Sequence, residues 1–311
     1  MDFKSSRGFA LTLAHRAAED IRRDGFRQLR NYVDLCETLV RQPKIKRFFA
    51  YAQKTLEQTD TLYYSLICHL VNQVNEDILC TWGINFLLGG LLFGGNRAKE
   101  QAERTGQPVS WLQVGVCADP ELPQAVSRAE GEERFAWVLY LDPKTPKEAV
   151  LDLAIEHPYS AFVVLAQPEQ LDRGTVAALA RCRNLAVGIL LQEMKLSETA
   201  RQAIQQMKKS RMLYGLTVLL DDTSAEKALD PQWLTLASEN ALFCLYARCP
   251  GMKEAVSHKL RQDLVRGRGE QQHRLLVLDW EGDLAAINHS ICPQAVVAGA
   301  ALDGPDFPLQ L

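Results

Sequence analysis

Through the first third of the chain, apolar residues recur every three or four positions. FALTLAHRAAEDIRRDGFRQLRNYVDLCETLVR keeps this spacing throughout and predicts an amphipathic helix interrupted at Gly25. QKTLEQTDTLYYSLICHLVNQVNEDILC predicts a second helix, broken near Thr59-Asp60-Thr61. No convincing strand pattern occurs in residues 1–106, which read as a helical N-terminal region. The apolar run ends at Gly94-Gly95-Asn96, and RAKEQAERTG follows as a short charged helix stopped at Gly106.

From residue 107 to 311 the pattern changes to short apolar runs separated by amphipathic stretches. The runs are 111–117, 135–141, 161–166, 185–191, 213–220, 241–247 and 274–280, and they begin about 24 to 33 residues apart, the length of one β-α unit. PKEAVLDLAIEH, DRGTVAALARCR and SETARQAIQQMKKSR are among the intervening helices. Strands that are apolar almost throughout belong to a parallel sheet covered by helices. Six or seven such units predict an α/β fold, a full or partial (β/α)6–7 TIM-like barrel, with a doubly wound open sheet as the alternative. The final stretch, with its Asp303-Gly304 turn, predicts a C-terminal hairpin or extended tail.

Composition narrows the function classes. With 35 Lys+Arg against 38 Asp+Glu, the net charge of -3 gives no whole-chain field favouring nucleic acid or an anionic membrane. The eight cysteines lie in apolar stretches with no C-x-x-C pair, and no secretory signal opens the chain, so reduced thiols in a cytoplasmic protein are expected. ILCTWGINFLLGGLLFGG, residues 78–95, is about long enough to cross a bilayer, but it holds Thr81, Asn85 and five glycines. A buried or domain-contact helix is the expectation, with membrane-surface contact the lesser one.

In parallel α/β folds function sits where strands hand over to helices. Here those positions are Cys117 and Asp119, Asp142-Pro143, Gln167-Pro168, Gln192-Glu193, Asp221-Asp222, Arg248-Cys249 and Asp279-Trp280-Glu281. This acidic rim suits acid–base work or a divalent cation, and it equally suits plain helix capping. His157, His258, His273 and His289 are dispersed, so no metal signature is present. The pairs Gly89-Gly90 and Gly94-Gly95 precede the first strand and read as packing or capping glycines, not as a phosphate loop.

LLFGGNRAKEQAERTGQPVSWLQVGV, followed by alternating strands and helices, then ALFCLYARCPGMKEAV and RLLVLDWEGDL, resembles radical S-adenosylmethionine proteins. More narrowly, it is similar to a bacterial group in which helices ending in a Leu-Leu-Gly-Gly segment lead into the partial barrel. Leu242–Gly251 and Arg274–Asp283 are similar to that group's sixth and seventh strands, and Ala295–Phe307 to its closing hairpin. The resemblance implies a C-x-x-x-C-x-x-C loop after the first strand, three thiolates holding a [4Fe–4S] cluster. This chain has Cys117 there and no further cysteine until Cys182. The family's Gly-Gly-Glu-Pro at the end of strand two reads Tyr140-Leu141-Asp142-Pro143, the acid ending strand four reads Gln192, and the cysteine after the closing hairpin is missing at Asp306, Phe307 and Pro308.

The expectation is therefore a degenerate member that acts by binding: no catalytic residues, no cofactor and no metal, with Cys117, Asp119, Tyr140, Leu141, Asp142, Pro143 and Gln192 marking a lost site. The expected partner is a protein, an active radical S-adenosylmethionine paralogue or a second copy of the chain, met through the N-terminal helices and residues 83–95. The alternatives are a cluster-free barrel enzyme using Asp119, Asp142, Glu193, Asp221 and Asp222, or a protein holding a small ligand in the barrel mouth.

Overall fold

Among the described residues, eight parallel strands lie in the order β7-β6-β5-β4-β3-β2-β1-β8. They are β1 (Val109–Val116), β2 (Ala136–Tyr140), β3 (Ala161–Ala166), β4 (Leu185–Leu191), β5 (Tyr214–Leu220), β6 (Phe243–Arg248), β7 (Leu276–Asp279) and β8 (Ala295–Ala298). The structure, a computed structural model, describes residues 2–39, 62–107, 109–272, 274–291 and 295–298, and also 46, 50, 52–54 and 56. From β1 to β7 consecutive strands are neighbours, β8 pairs with β1, and every pairing is parallel, which is the TIM-like order opened between β7 and β8. The doubly wound alternative needs a reversal of strand order, and there is none. The segment expected as a hairpin or tail supplies β8, a parallel strand paired with the start of β1. The Asp303-Gly304 turn lies outside the described residues.

The strand alternation divides the apolar residues into two layers. Trp137, Leu139, Phe162, Val164, Val187, Ile189, Leu216 and Val218 face the outer helices. Val138, Tyr140, Leu165, Leu190, Leu219, Leu245 and Ala247 face inward. In a sheet closed into a barrel the inward set fills its own interior. Here the sheet stays open, and two further helices complete that layer. Trp280–Ile291, which links β7 to β8, places Trp280, Leu284, Ile287 and Ile291 on it, the spacing of one helical face. From the N-terminal side, Phe86, Leu91, Ala98 and Ala102 join the same layer. Packing is close enough that a Cβ on Gly188 would lie 2.6 Å from Leu165 Cδ2 and 2.7 Å from Thr217 Oγ1.

The N-terminal helices are Phe3–Arg23, Gly25–Leu39, Leu62–Gln73 and Glu76–Ile84. The first two meet at Asp24, so the interruption falls where Gly25 predicts it. The expected second helix is divided at Val74-Asn75, because the Asn75 side chain accepts from the amides of Asp77 and Ile78 and starts a new helix; the break expected near Thr59-Asp60-Thr61 lies outside the described residues. Beyond Ile84 the chain remains helical, through a π-helical stretch Asn85–Gly94 into Gly95–Thr105, so Gly94-Gly95-Asn96 is not a break. Gly106 does stop the helix, at φ 67°.

The apolar stretch predicted as a buried or domain-contact helix is partly that. Helix Glu76–Thr105 is long and apolar enough to cross a membrane, and 44% of its most apolar window is buried. Its glycines are packing glycines: a Cβ on Gly89 would press on the Phe3 ring, and one on Gly90 would lie 2.8 Å from Ala136 Cβ at the start of β2. Asn85, fully buried, fixes the helix to the barrel by donating to the carbonyls of Pro158 and Ser160 and accepting from Arg7 Nε at 2.7 Å. The small-residue face is thus used within the chain. Leu87, 59% exposed, lies on the free side.

Candidate functional site

The end of β1 is where the sequence places the first candidate, Cys117. Its amide donates to the Tyr140 carbonyl at 2.9 Å, extending the β1–β2 ladder by one residue. Parallel pairing therefore sets Cys117, Tyr140, Leu141 and Asp142 side by side. Cys117 is buried among the outer-layer residues, and burial, reinforced by the Asp142 carboxylate, pushes its thiol up to about 12. A buried group held this firmly as a thiol offers little thiolate for nucleophilic attack at neutral pH. Tyr140 and Leu141 are equally buried; desolvation, again with Asp142 adding to it, raises the Tyr140 phenol.

A three-thiolate cluster does not fit this corner. Helix Leu122–Gly131 starts five residues after Cys117, and the turn between holds no second cysteine. The close backbone approach that paired glycines would allow at the end of β2 is taken by the Tyr140 and Leu141 side chains. Among the described residues no three His, Cys, Asp or Glu side chains stand together as a metal site would need.

The acidic rim does not converge either. Asp119 Oδ1 accepts from the Glu121 amide at 2.9 Å and Asp142 Oδ1 from the Lys144 amide at 2.8 Å. Asp221 Oδ1 caps the Ser224 amide at 2.7 Å, and that bond holds the Asp221 carboxyl below its ordinary value. Asp222 accepts from the Lys253 amide at 2.8 Å, pairs with Lys253 Nζ, and is likewise lowered. Glu193 pairs with its neighbour Lys195. Gln192 and Pro143 are exposed, and Gln192 directly follows β4, two strands from β2. Asp119, Asp142 and Asp221 therefore serve their own turns, the capping role that the sequence reading set beside the catalytic one, while Asp222 and Glu193 are held by lysines.

The strongest concentration of charge lies elsewhere, at the ends of β6 and β7. Arg248 Nη2 contacts both oxygens of Asp279 at 3.1 Å, and Asp279 is only 1% exposed. Asp283 accepts from Arg268 at 2.7 and 2.8 Å, from Arg261, and from the Asp279 amide at 2.8 Å. Although desolvation opposes it, these arginines hold the Asp283 carboxyl below its usual value. Glu281 accepts from the Arg248 amide, and desolvation raises its carboxyl. Three arginines face three carboxylates here, with no charge left over to recognise an ion. Arg261, Arg268 and Asp283 escaped the search of strand ends because their helices bring them in. The signal was the alternation Asp279, Glu281, Asp283 and the seven-residue spacing of the two arginines, one helical face.

A groove of about 340 Å³ opens beside Cys117, between the turn after β1 and the turn after β2. Pro120, Pro123, Pro146, Ala149 and Leu153 wall it, and Asp119 and Lys144 stand at it. It lies on the helix side of the sheet, whereas the barrel interior is filled.

No protein family and no curated protein matches the sequence. Solved structures with a similar fold include SuiB of Streptococcus suis bound to S-adenosylmethionine, at TM-score 0.44 and 12% identity over 58% of this chain and 50% of that one. Native anSMEcpe with bound AdoMet follows at 0.39 and 13%, over 57% and 66% of the two chains. Tryptophan synthase subunit alpha from Legionella pneumophila is similar at 0.42 and 11%, over 67% and 87%. The chain thus spans about half the length of SuiB. At such identities and scores these likenesses describe a shared curled parallel sheet and nothing of its chemistry.

Proposed function

We propose that this chain is a non-catalytic, radical S-adenosylmethionine-like protein that works as an accessory or regulatory subunit of an active enzyme of that superfamily. The observation that carries the reading is the inner face of the half-barrel. Where a cofactor-binding barrel would place polar groups, this one stacks Val138, Tyr140, Leu165, Leu190, Leu219 and Leu245 under two helices. The turn after β1, with one buried thiol in place of three ligands, agrees with it. A fold that keeps its core and lacks reactive groups is left with its surfaces as the working part. Phe9, 73% exposed on the first helix, Leu35 and Leu87 are large apolar side chains that the N-terminal region exposes.

Co-expression with the products of neighbouring genes tests the reading. Stoichiometric co-purification with a radical S-adenosylmethionine enzyme carrying its three cysteines is the expected result. Calorimetry with S-adenosylmethionine is expected to give no heat of binding. A chain that stays alone and binds S-adenosylmethionine would overturn the reading.

A further inference from the structure

The groove beside Cys117 carries one charge of each sign on opposite lips. Asp119 stands in the turn after β1 and Lys144 in the turn after β2. Asp119 uses Oδ1 for the Glu121 amide, and among the described residues its Oδ2 has no partner. Lys144 has no ion-pair partner among them either, so the two charges do not neutralise each other across the groove. Between them the walls are apolar: three prolines, Ala149, Leu122 and Leu153. The prolines fix the backbone of both lips, so the groove is shaped before anything enters it.

The lip after β2 suits an anion. The Thr145 hydroxyl, beside Lys144 in the lining, is buried without a hydrogen-bond partner. Helix Lys147–Glu156 begins directly behind it, at Pro146, without a side-chain cap. Cation, hydroxyl and helix start together favour a carboxylate. On the other lip the open oxygen of Asp119 favours an ammonium group. β1 and β2 are paired neighbours, about 4.8 Å apart, so the ligand must carry its two charges close together. The volume of about 340 Å³ is at the low end of small-molecule sites, which run from roughly 300 to 1,000 Å³.

We propose that this groove binds a free α-amino acid with a large apolar side chain. Its carboxylate lies at Lys144 and Thr145, its ammonium at Asp119, and its side chain against Pro120, Pro123 and Leu153. A ligand held this way fastens the turn after β1 to the turn after β2. The site is on the helix side of the sheet, outside the packed barrel interior, and it holds whether or not the chain is a subunit of a larger enzyme.

The test is calorimetry of the full chain with L-leucine and L-phenylalanine, beside two analogues of leucine: isoamylamine, which lacks the carboxylate, and 4-methylpentanoate, which lacks the ammonium. Saturable binding of at least one amino acid is expected, with both analogues about tenfold weaker than leucine or more. Lys144→Gln is expected to weaken leucine and 4-methylpentanoate but not isoamylamine. Asp119→Asn, which keeps an oxygen for the Glu121 amide, is expected to weaken leucine and isoamylamine but not 4-methylpentanoate. This crossed pattern separates loss of a contact from loss of the fold, which thermal unfolding of each variant checks directly. No saturable heat with either amino acid overturns the proposal. Analogues that bind as tightly as leucine overturn the paired-charge assignment, and leucine binding unchanged in both folded variants overturns the site.

Discussion

The Trp111 indole Nε1 donates to Asn288 Oδ1 at 2.7 Å, tying β1 to the helix that links β7 to β8. Trp111 is fully buried, so this bond joins the first strand of the sheet to the helix completing its inner layer across the open side. The hydrogen bond satisfies a donor that has no water within reach. It also fixes where Leu284 and Ile287 settle on the sheet.

Replacing Asn288 by Ala leaves the indole N–H buried and unpaired. The expected cost is about 2 kcal/mol, the desolvation penalty of a stranded donor. Urea unfolding of the full chain checks this; an unchanged midpoint would mean that the helix is not held to the sheet at this point.

Two glycines of one helix predict opposite outcomes. A Cβ on Gly90 would lie 2.8 Å from Ala136 Cβ, and neither atom is at the end of a flexible side chain, so Gly90→Ala forces helix and sheet apart at a cost of roughly 1–3 kcal/mol. Gly83 has nothing within 4 Å of such an atom, and Gly83→Ala stabilises by up to about 1 kcal/mol through helix propensity alone. Thermal melts of the two variants measure the contrast.

Asp283 is bonded to Arg261, Arg268 and the Asp279 amide. Its carboxyl is held below its ordinary value, so its contribution is complete above the ordinary value of 3.8 and is lost as pH falls through the depressed one. Asp283→Asn leaves two partly buried arginines without that partner and is expected to cost about 3 kcal/mol at neutral pH. Denaturant curves across the acid range should show the gap between parent and variant closing as pH falls.

Glu281 has the opposite sign. Desolvation raises its carboxyl in the folded chain, so the unfolded chain loses the proton first, and stability falls as pH rises from the ordinary value of 4.5 through the folded one. Glu281→Gln keeps an oxygen for the Arg248 amide and removes the titration. Its stability should decline less over that interval than the parent's, as measured by denaturant midpoints; parallel declines would contradict the assignment.

The repeating strands were legible because their signal is local. Residues 161–166 and 185–191 form the strands that their apolar runs predict, to the residue. The break at Asn75 and the helix continuing through Gly94-Gly95 were harder to read. One depends on a single side-chain cap, and the other on packing against Phe3, Ala136 and Ile291 that offsets glycine's poor propensity. The site was legible in its positions, since strand ends do carry Asp119, Asp142, Asp221 and Asp222. Their occupation by neighbouring amides was not, because a cap and a catalytic carboxylate are the same residue in sequence. The Arg261, Arg268 and Asp283 cluster depends on two helices meeting at the ends of β6 and β7, a relation that no single stretch contains.

The central claim is that this barrel has a packed interior and no cluster. Anaerobic reconstitution of the full chain with iron and sulfide, followed by quantitation of both, tests it most directly. The account predicts no stoichiometric cluster, with Cys117 unreactive toward alkylating agents at neutral pH before and after the treatment. Four irons and four sulfides per chain, bound at a site that Cys117→Ala removes, would contradict it.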